Sequence, residues 1–276
     1  MADSVKSLPE MMRSLMRSIV PWKAYVAVSS FLDWTCALRK LGWKQSRRLW
    51  QVDRCRSSAL ATDLLAISAP NLLGPFFLRP GTSDVNEFVY TIVRETYGRH
   101  LPRGEVKFIL DAGANMGDTA AWLLTRYSEA RLIAVEPDPE NFASLVRNCM
   151  PYGKRSIPVQ AAVWPRSVRL SLSEDVSKDA IQVQEANKGD CIGMTVQELM
   201  EQYYFPRLDI FKCDIEGAEK ALFSGDPDPW LSRTKFLVVE THGAECLSTV
   251  LGATSRHGFT HREFRNLHIF EHPERR

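Results

Sequence analysis

Residues 108–117 read FILDAGANMG and run straight on into Asp118 and Thr119. The apolar run Phe108, Ile109, Leu110 ends in Asp111, glycines follow at Gly113 and Gly117, and helical spacing takes over through 120–127. That order predicts a strand, a tight loop and a helix, the opening unit of a nucleotide-binding α/β domain. Glycine lets the backbone approach a ligand where a Cβ would collide. The helix start behind the loop offers unpaired N–H groups, and Ala114, Asn115, Asp118 and Thr119 lie within reach of the same ligand.

The spacing separates this loop from two common relatives. The dinucleotide fingerprint needs G-x-G-x-x-G, but these glycines stand four apart with no third one in place. A P-loop needs Gly-Lys-Ser/Thr, and here Gly117 precedes Asp118-Thr119. An acid entering the loop suits a cationic ligand better than a pyrophosphate. The pattern D-x-G-x-x-x-G at a strand end resembles the first motif of class I S-adenosylmethionine (SAM) methyltransferases; the plainer alternative is an ordinary glycine turn.

Working outward, strands are expected at 107–112, 131–136, 157–163, 208–213 and 234–240, with helices at 118–127, 139–149, 195–204, 216–224 and 244–256. Residues 169–173 read as a further strand, 174–190 as polar loop, and 258–264 with 267–271 as an antiparallel hairpin turning at Arg265-Asn266. Upstream, 70–81 is rich in Pro, Gly and Phe and predicts turns and short extended pieces. Residues 83–97 return to helical spacing, with Val85, Phe88, Val89, Ile92, Val93 and Tyr97 on one face and Ser83 or Asp84 as cap. The expected division is a helical, basic extension over 1–70, broken at Pro21 and connected through a basic stretch at 44–56, followed by the α/β domain over 71–276.

The 276 residues are 45% hydrophobic and 25% charged, ordinary for a globular protein. The net charge of +2 is unevenly spread: residues 1–60 hold eleven Lys/Arg and four Asp/Glu, so the remainder carries about −5 by subtraction. A basic leader on an acidic body points to an anionic surface partner, with peripheral membrane contact through amphipathic helices as one form of it. The uncharged run 24–32 is too short to span a bilayer. Six scattered cysteines without a C-x-x-C pair read as reduced thiols in a cytoplasmic setting, and no Cys/His metal cluster is visible. Nucleic acid is not the expected partner, because polyanions want a basic face on the catalytic half.

Glu136 closes the second strand 19 residues after Gly117, where doubly wound folds place a carboxylate on the ribose hydroxyls of a bound nucleoside. Pro137 and Asn141 border the same place. Ala161 and Ala162, expected at the end of the third strand, leave room for an adenine ring, and Asp190 is a looser candidate for that pocket. The stretch 208–219, LDIFKCDIEGAE, delivers Asp214 and Glu216 to the carboxyl edge of the sheet. Four charges there (Lys212, Asp214, Glu216, Glu219) are costly unless solvated or used. The bland alternative is a capped helix start with Asp214 as N-cap.

Together DAGANMGDTA, AVEPDPENFASLVRNC, AAVW, LDIFKCDIEGAEKALFSG and FLVVETHG, with FFLRPGTSDVNEFVYTIVRETYG upstream, resemble the FkbM family of SAM-dependent methyltransferases over about 77–270. The resemblance implies a Rossmann-like class I methyltransferase sheet with an antiparallel C-terminal strand pair. It also implies methyl transfer to oxygen on a small-molecule hydroxyl acceptor, often a sugar or natural product. Asp111, Gly113, Asn115, Gly117 and Glu136 match the cofactor pattern, Arg79, Thr82 and Asp84 the segment closing over the cofactor, and Asp214, Glu216 and Glu240 the acidic acceptor edge.

A hydroxyl acceptor needs a general base near the sulfonium. Asp214, Glu216, Glu240 and His242 are candidates, with His242 first because histidine titrates near working pH; Lys212 can pair Asp214 or Glu240. Asp214, Glu216 and Glu240 can alternatively hold Mg²⁺. Competing readings are a non-catalytic SAM-binding scaffold and an NAD-linked oxidoreductase.

Overall fold

A computed structural model describes residues 22–54, 64–172, 183–186, 189 and 191–275. The expected break at Pro21, Asp190 and most of the 174–190 loop lie outside the described residues.

Seven strands form the main sheet: β3 Phe108–Ala112, β4 Arg131–Val135, β5 Ser156–Val159, β10 Ile210–Cys213, β11 Phe236–Glu240, β12 Thr260–Phe264 and β13 Leu267–Glu271. Their spatial order is β12-β13-β11-β10-β3-β4-β5. All neighbours run parallel except β13, which is antiparallel to both β11 and β12. The chain winds outward from β3 in one direction and returns through β10 in the other. The switch point, where ligands of open α/β sheets bind, therefore falls between β3 and β10.

The strands alternate between two cores. Ile109, Leu132, Ile210 and Val238 face one side, with Phe88, Ala120 and Leu145 over them. Leu110, Ile133, Phe211 and Val239 face the other, with Leu199, Phe223 and Val250. Helices α3 Asp118–Arg126 and α4 Pro139–Cys149 follow β3 and β4 as expected. Asp138 caps α4 by accepting hydrogen bonds from the Glu140 and Asn141 amides, with Pro139 at its first position.

Several expectations need correction. The strand expected over 157–163 is two: β5 ends at Val159 at the edge of the main sheet, where Pro158 costs no ladder bond. The chain then leaves for a separate four-stranded sheet, where β6 Ala162–Val163 pairs with β9 Cys191–Met194. Part of the expected polar loop is strand β8 Val183–Glu185, paired to β7 Val168–Leu172. The helix expected from 216 begins at Glu219, with Ala218 and not Asp214 at its cap. The 83–97 segment is α2 Asp84–Phe88 followed by a π-helical turn, Val89–Val93. Ser83 makes no capping bond there, and the Asp84 carboxylate is held by Arg79.

Helix α1, Trp22–Arg54, runs through the expected basic connection, since Lys and Arg favour helix and stay solvated. Its break is at Gly42 (φ 75, ψ 170), a conformation open essentially to glycine alone. Ala37 and Leu49, one on each limb, sit in the same core as the sheet. Asp33 pairs with Arg94 and Lys40 with Glu95 at 3.0 Å. The expected division at residue 70 falls in the turn joining β1 Leu65–Ile67 to its antiparallel partner β2 Phe76–Leu78.

The opening glycines make room for protein atoms. A Cβ on Gly113 (φ +74) would stand 1.7 Å from the Asp214 carbonyl oxygen, and one on Gly117 would stand 2.8 Å from Leu145 Cδ1. Gly113→Ala should therefore lose about 3 kcal/mol or more of stability. Gly252→Ala, where the nearest atom is the end of Arg256 at 3.9 Å, should gain a few tenths. Thermal melts of both variants check this; a Gly113→Ala melt matching wild type would contradict the close packing of the two loops.

Candidate active site

Register builds the centre of the site. In the parallel pair β3–β10, Asp111 lies opposite Lys212, so both side chains leave the same face of the sheet. The Lys212 ammonium stands 3.2 Å from Asp111 Oδ1 and 3.8 Å from Asp214 Oδ2, and donates to the Gly113 carbonyl at 2.6 Å. Asp111 is fully buried and Lys212 nearly so. Burial works against the lysine's charge, but Asp111, Asp214 and Asp118 outweigh it and raise its pKa. Burial likewise pushes the Asp111 carboxyl up to about 6, with the Lys212 ammonium opposing. Among the described residues, Asp111 Oδ2 finds no hydrogen-bond donor.

A second group gathers at the end of β4. Glu136 accepts from the Asn115 amide at 2.8 Å and the Asp138 amide at 3.1 Å. Burial raises its carboxyl to about 7, against those two bonds. Asn141 Nδ2 adds a longer contact at 3.5 Å, and since a carboxylate has about four acceptor positions, one remains for a ligand. Arg79 forks onto Asp84 (Nη2–Oδ1 2.7 Å, Nε–Oδ2 3.0 Å) and also donates to Asn141 Oδ1 at 2.8 Å. Thr82 ties the turn by donating to the Arg79 carbonyl and accepting from the Asp84 amide. Pro137 is half-buried between Glu136 and the Asp138 cap.

The third group lies where β10 and β11 end. Glu219 is fully buried and accepts from the Ile215 and Gly217 amides, both at 3.0 Å, and contacts His242 Nδ1 at 3.1 Å. These bonds fold the 214–217 loop, in which Glu216 takes a left-handed φ of 52°. His242 Nε2 reaches Glu216 at 3.2 Å and Asp214 at 3.9 Å. The Glu219 hydrogen bond first, then the charges of Glu219, Glu216 and Asp214, lift the imidazole to about 9 against its partial burial. His242 is an imidazolium at neutral pH. Glu240 is raised to about 7 by burial and by Asp214, and Asn266 donates to it.

The structure thus brings together Asp111, Lys212, Asp214, Glu216, His242 and Glu240 along one edge, and Arg79, Thr82, Asp84, Asn115, Glu136 and Asn141 beside it. Ala114 bridges the two groups, its amide bonded to the Val135 carbonyl at 3.0 Å. Asp118 is turned inward onto Thr91, and Thr119 is buried in α3. Ala161 and Ala162 are buried beyond the strand break. A potential ligand set forms from Asp214, Glu216 and His242, whose donor atoms lie within 4.8 Å of one another, and not from the expected trio with Glu240.

Glu219 and Asn266 were given no role from the sequence. Glu219 was visible as one of the four charges in 212–219, open to being a first-turn acid of a helix. Asn266 belongs to the hairpin turn, which β13 delivers to this edge by pairing Leu267 with Glu240.

A family model described as Methyltransferase FkbM domain matches residues 111–267. The Arg79–Asp84 segment precedes that range. The chain is 24% identical over 170 residues to methyltransferase sdnD of Sordaria araneosa, covering 49% of this chain and 66% of that one. It is 26% identical over 141 residues to the hexuronic acid methyltransferase AglP of Haloferax volcanii, covering 48% and 54%. The chain therefore spans between half and two thirds of the lengths of these relatives. The precorrin-6y C5,15-methyltransferase structure from Geobacter metallireducens overlays at 13% identity and a TM-score of 0.40, covering 64% of this chain and 84% of its own.

The His242 environment generates a prediction with a definite sign. With a folded pKa of about 9 against the usual value near 6.5, its contribution to stability is fully present below pH 6.5 and is lost as pH rises through 9. In Glu219→Gln the imidazole should titrate at least one unit lower, read from its ring proton shifts by NMR. An unmoved titration would show that Glu219 does not hold the ring.

Proposed function

Since the chain belongs to the FkbM methyltransferase domain family, we propose that it moves a methyl group from SAM to a hydroxyl of a small acceptor, a sugar or natural-product-like molecule. The observation that carries this reading is the excess of carboxylates at the switch point, led by the buried Asp111 with its undonated oxygen. Such a cradle suits a cation, and SAM carries both a sulfonium and an ammonium.

The residues present fit that cofactor. Glu136 would accept from the ribose hydroxyls, with the 113–115 loop beside it. Arg79, Asp84 and Asn141 would hold that end of the site in place. Bound SAM supplies an already activated methyl group, so the protein must align the acceptor and remove its proton. Glu240, poised near 7, suits the base. His242, first among the sequence candidates, is held as an imidazolium and would instead fix Glu216 and Asp214. Lys212 would hold Asp111 and Asp214 in place. With Lys212 and His242 already supplying positive charge among these carboxylates, Mg²⁺ is not part of the proposal.

Among the described residues no helix is long and apolar enough to cross a membrane. Trp43, 64% exposed beside Lys44, Arg47 and Arg48, favours peripheral contact with an anionic surface. The five described cysteines are free, which supports a reducing, cytoplasmic setting.

Release of S-adenosylhomocysteine in the presence of hydroxylated acceptors tests the activity. In Glu240→Gln, kcat should fall by about 10²–10⁴-fold while SAM affinity stays near wild type. Wild-type kcat should climb with pH through about 7 as Glu240 ionises, and decline towards 9 as His242 loses its proton. A pH-independent rate, or a Glu240→Gln enzyme that turns over normally, would remove Glu240 as the base.

A further inference from the structure

Helix α1 lies outside the range of the family match, yet it walls a cavity of about 390 Å³ that ends at Glu240 and Asn266. The kink at Gly42 makes this wall. One limb contributes Asp33, Trp34 and Ala37, the other Ser46, Leu49 and Trp50. Trp34 meets Trp43 edge-on across the bend, with ring centroids 6.3 Å apart. The opposite wall is the 85–94 segment, held to α1 by Asp33–Arg94. It offers Asn86, Glu87 and Tyr90, and the π-helical turn at Val89–Val93 adds a residue just where Tyr90 meets the cavity.

Two residues that line this space carry a buried hydroxyl with no hydrogen-bond partner among the described residues: Ser46, only 1% exposed, and Tyr90. Buried hydroxyls left unpartnered are unusual and invite a ligand that satisfies them. Around them stand apolar surfaces of Trp34, Leu49, Val85 and Val89. Few polar groups among aromatic and aliphatic walls, at this volume, are the features of a small-molecule site.

The charge of the lining narrows the ligand. Among the described lining residues the one cation, Arg94, is already engaged by Asp33, while Glu87 and Glu240 stand at the inner end. Burial and the neighbouring Asp118, Asp214 and Glu240 push Glu87 up to about 8, so this end of the cavity disfavours a negative charge. A carboxylate-bearing ligand would meet that same burial and negative charge, and among the described lining residues no unpaired cation; Arg265, whose charge reaches Tyr90, stands outside the lining.

We propose that this cavity is the acceptor subsite and that it takes a neutral hydroxylated ring with one apolar face, a single hexose-sized unit, with the reacting hydroxyl presented at Glu240. This rests on the methyltransferase reading and adds to it a location and a charge class. The apolar face of the ring would lie against Trp34, and its hydroxyls would satisfy Ser46 and Tyr90.

Saturation-transfer NMR on the full chain loaded with S-adenosylhomocysteine tests it, using neutral methyl hexosides and the matching methyl hexuronosides as probes. The neutral hexosides should bind and the hexuronosides should bind at least tenfold more weakly. Trp34→Ala should weaken the neutral probe about tenfold through lost apolar contact. Tyr90→Phe, which removes only a hydroxyl and leaves the fold in place, should weaken it about threefold. Both variants should bind S-adenosylhomocysteine as wild type does. Saturation transfer from no hexoside, a preference for hexuronosides, or unweakened binding in Tyr90→Phe would each overturn the assignment. Failure of S-adenosylhomocysteine itself to bind would instead count against the methyltransferase reading.

Discussion

The buried ammonium of Lys212 is the point from which the carboxyl edge takes its shape. A charge in the middle of a sheet can persist only if it is paired and fully hydrogen-bonded. Its three contacts, to Asp111, to the Gly113 carbonyl and to Asp214, belong to β3 itself and to the two loops that leave β3 and β10. Taking away one member of such a buried pair typically costs about 3–5 kcal/mol, because the other charge is left uncompensated. Gly113 serves the same constraint: without a Cβ it lets the Asp214 carbonyl close onto its loop. The ion pair and the glycine together fix the crevice at the switch point.

From that fixed crevice the site divides by strand. Towards β4, Glu136 is oriented by backbone amides and by the Arg79–Asn141 contact, an arrangement suited to grip a ligand in one pose. Towards β11, carboxylates crowd around His242, and their mutual repulsion is relieved by two cations and by raised proton affinity at Glu240. Grip on one side and a titrating acid on the other are what a group transfer to a hydroxyl requires. Both Asp111 and Glu240 lie on the sheet face that α1 and the 84–93 segment cover, which places the α1 cavity over Glu240.

Much of this was legible in the sequence. Asp111 and Glu136 could be read because each ends an apolar run, and strand ends in such folds converge on one edge. Lys212 stood out as a charge inside an otherwise apolar strand. What could not be read depends on contacts between distant segments. The purpose of Gly113 needs the position of Asp214, 101 residues away. The raised pKa of His242 needs Glu219, brought to it across the edge by the loops after β10 and β11. The break after Val159 is marked only by Gln160 between two apolar pieces, since a strand that changes sheets keeps its composition. Helix α1 looked like a separate basic leader, because its solvated face carries the charge while Ala37 and Leu49, few in number, fasten it to the core.

The central claim is that SAM occupies the β3–β4 end of this edge with its ribose on Glu136. Calorimetric titration with SAM near pH 7, in buffers of different ionisation enthalpy, tests it most directly. Glu136 is partly protonated before binding, so saturable binding should release a fraction of a proton, and that release should vanish in Glu136→Gln. A folded protein that binds no SAM would contradict the account, and so would binding whose proton release survives the Glu136→Gln change.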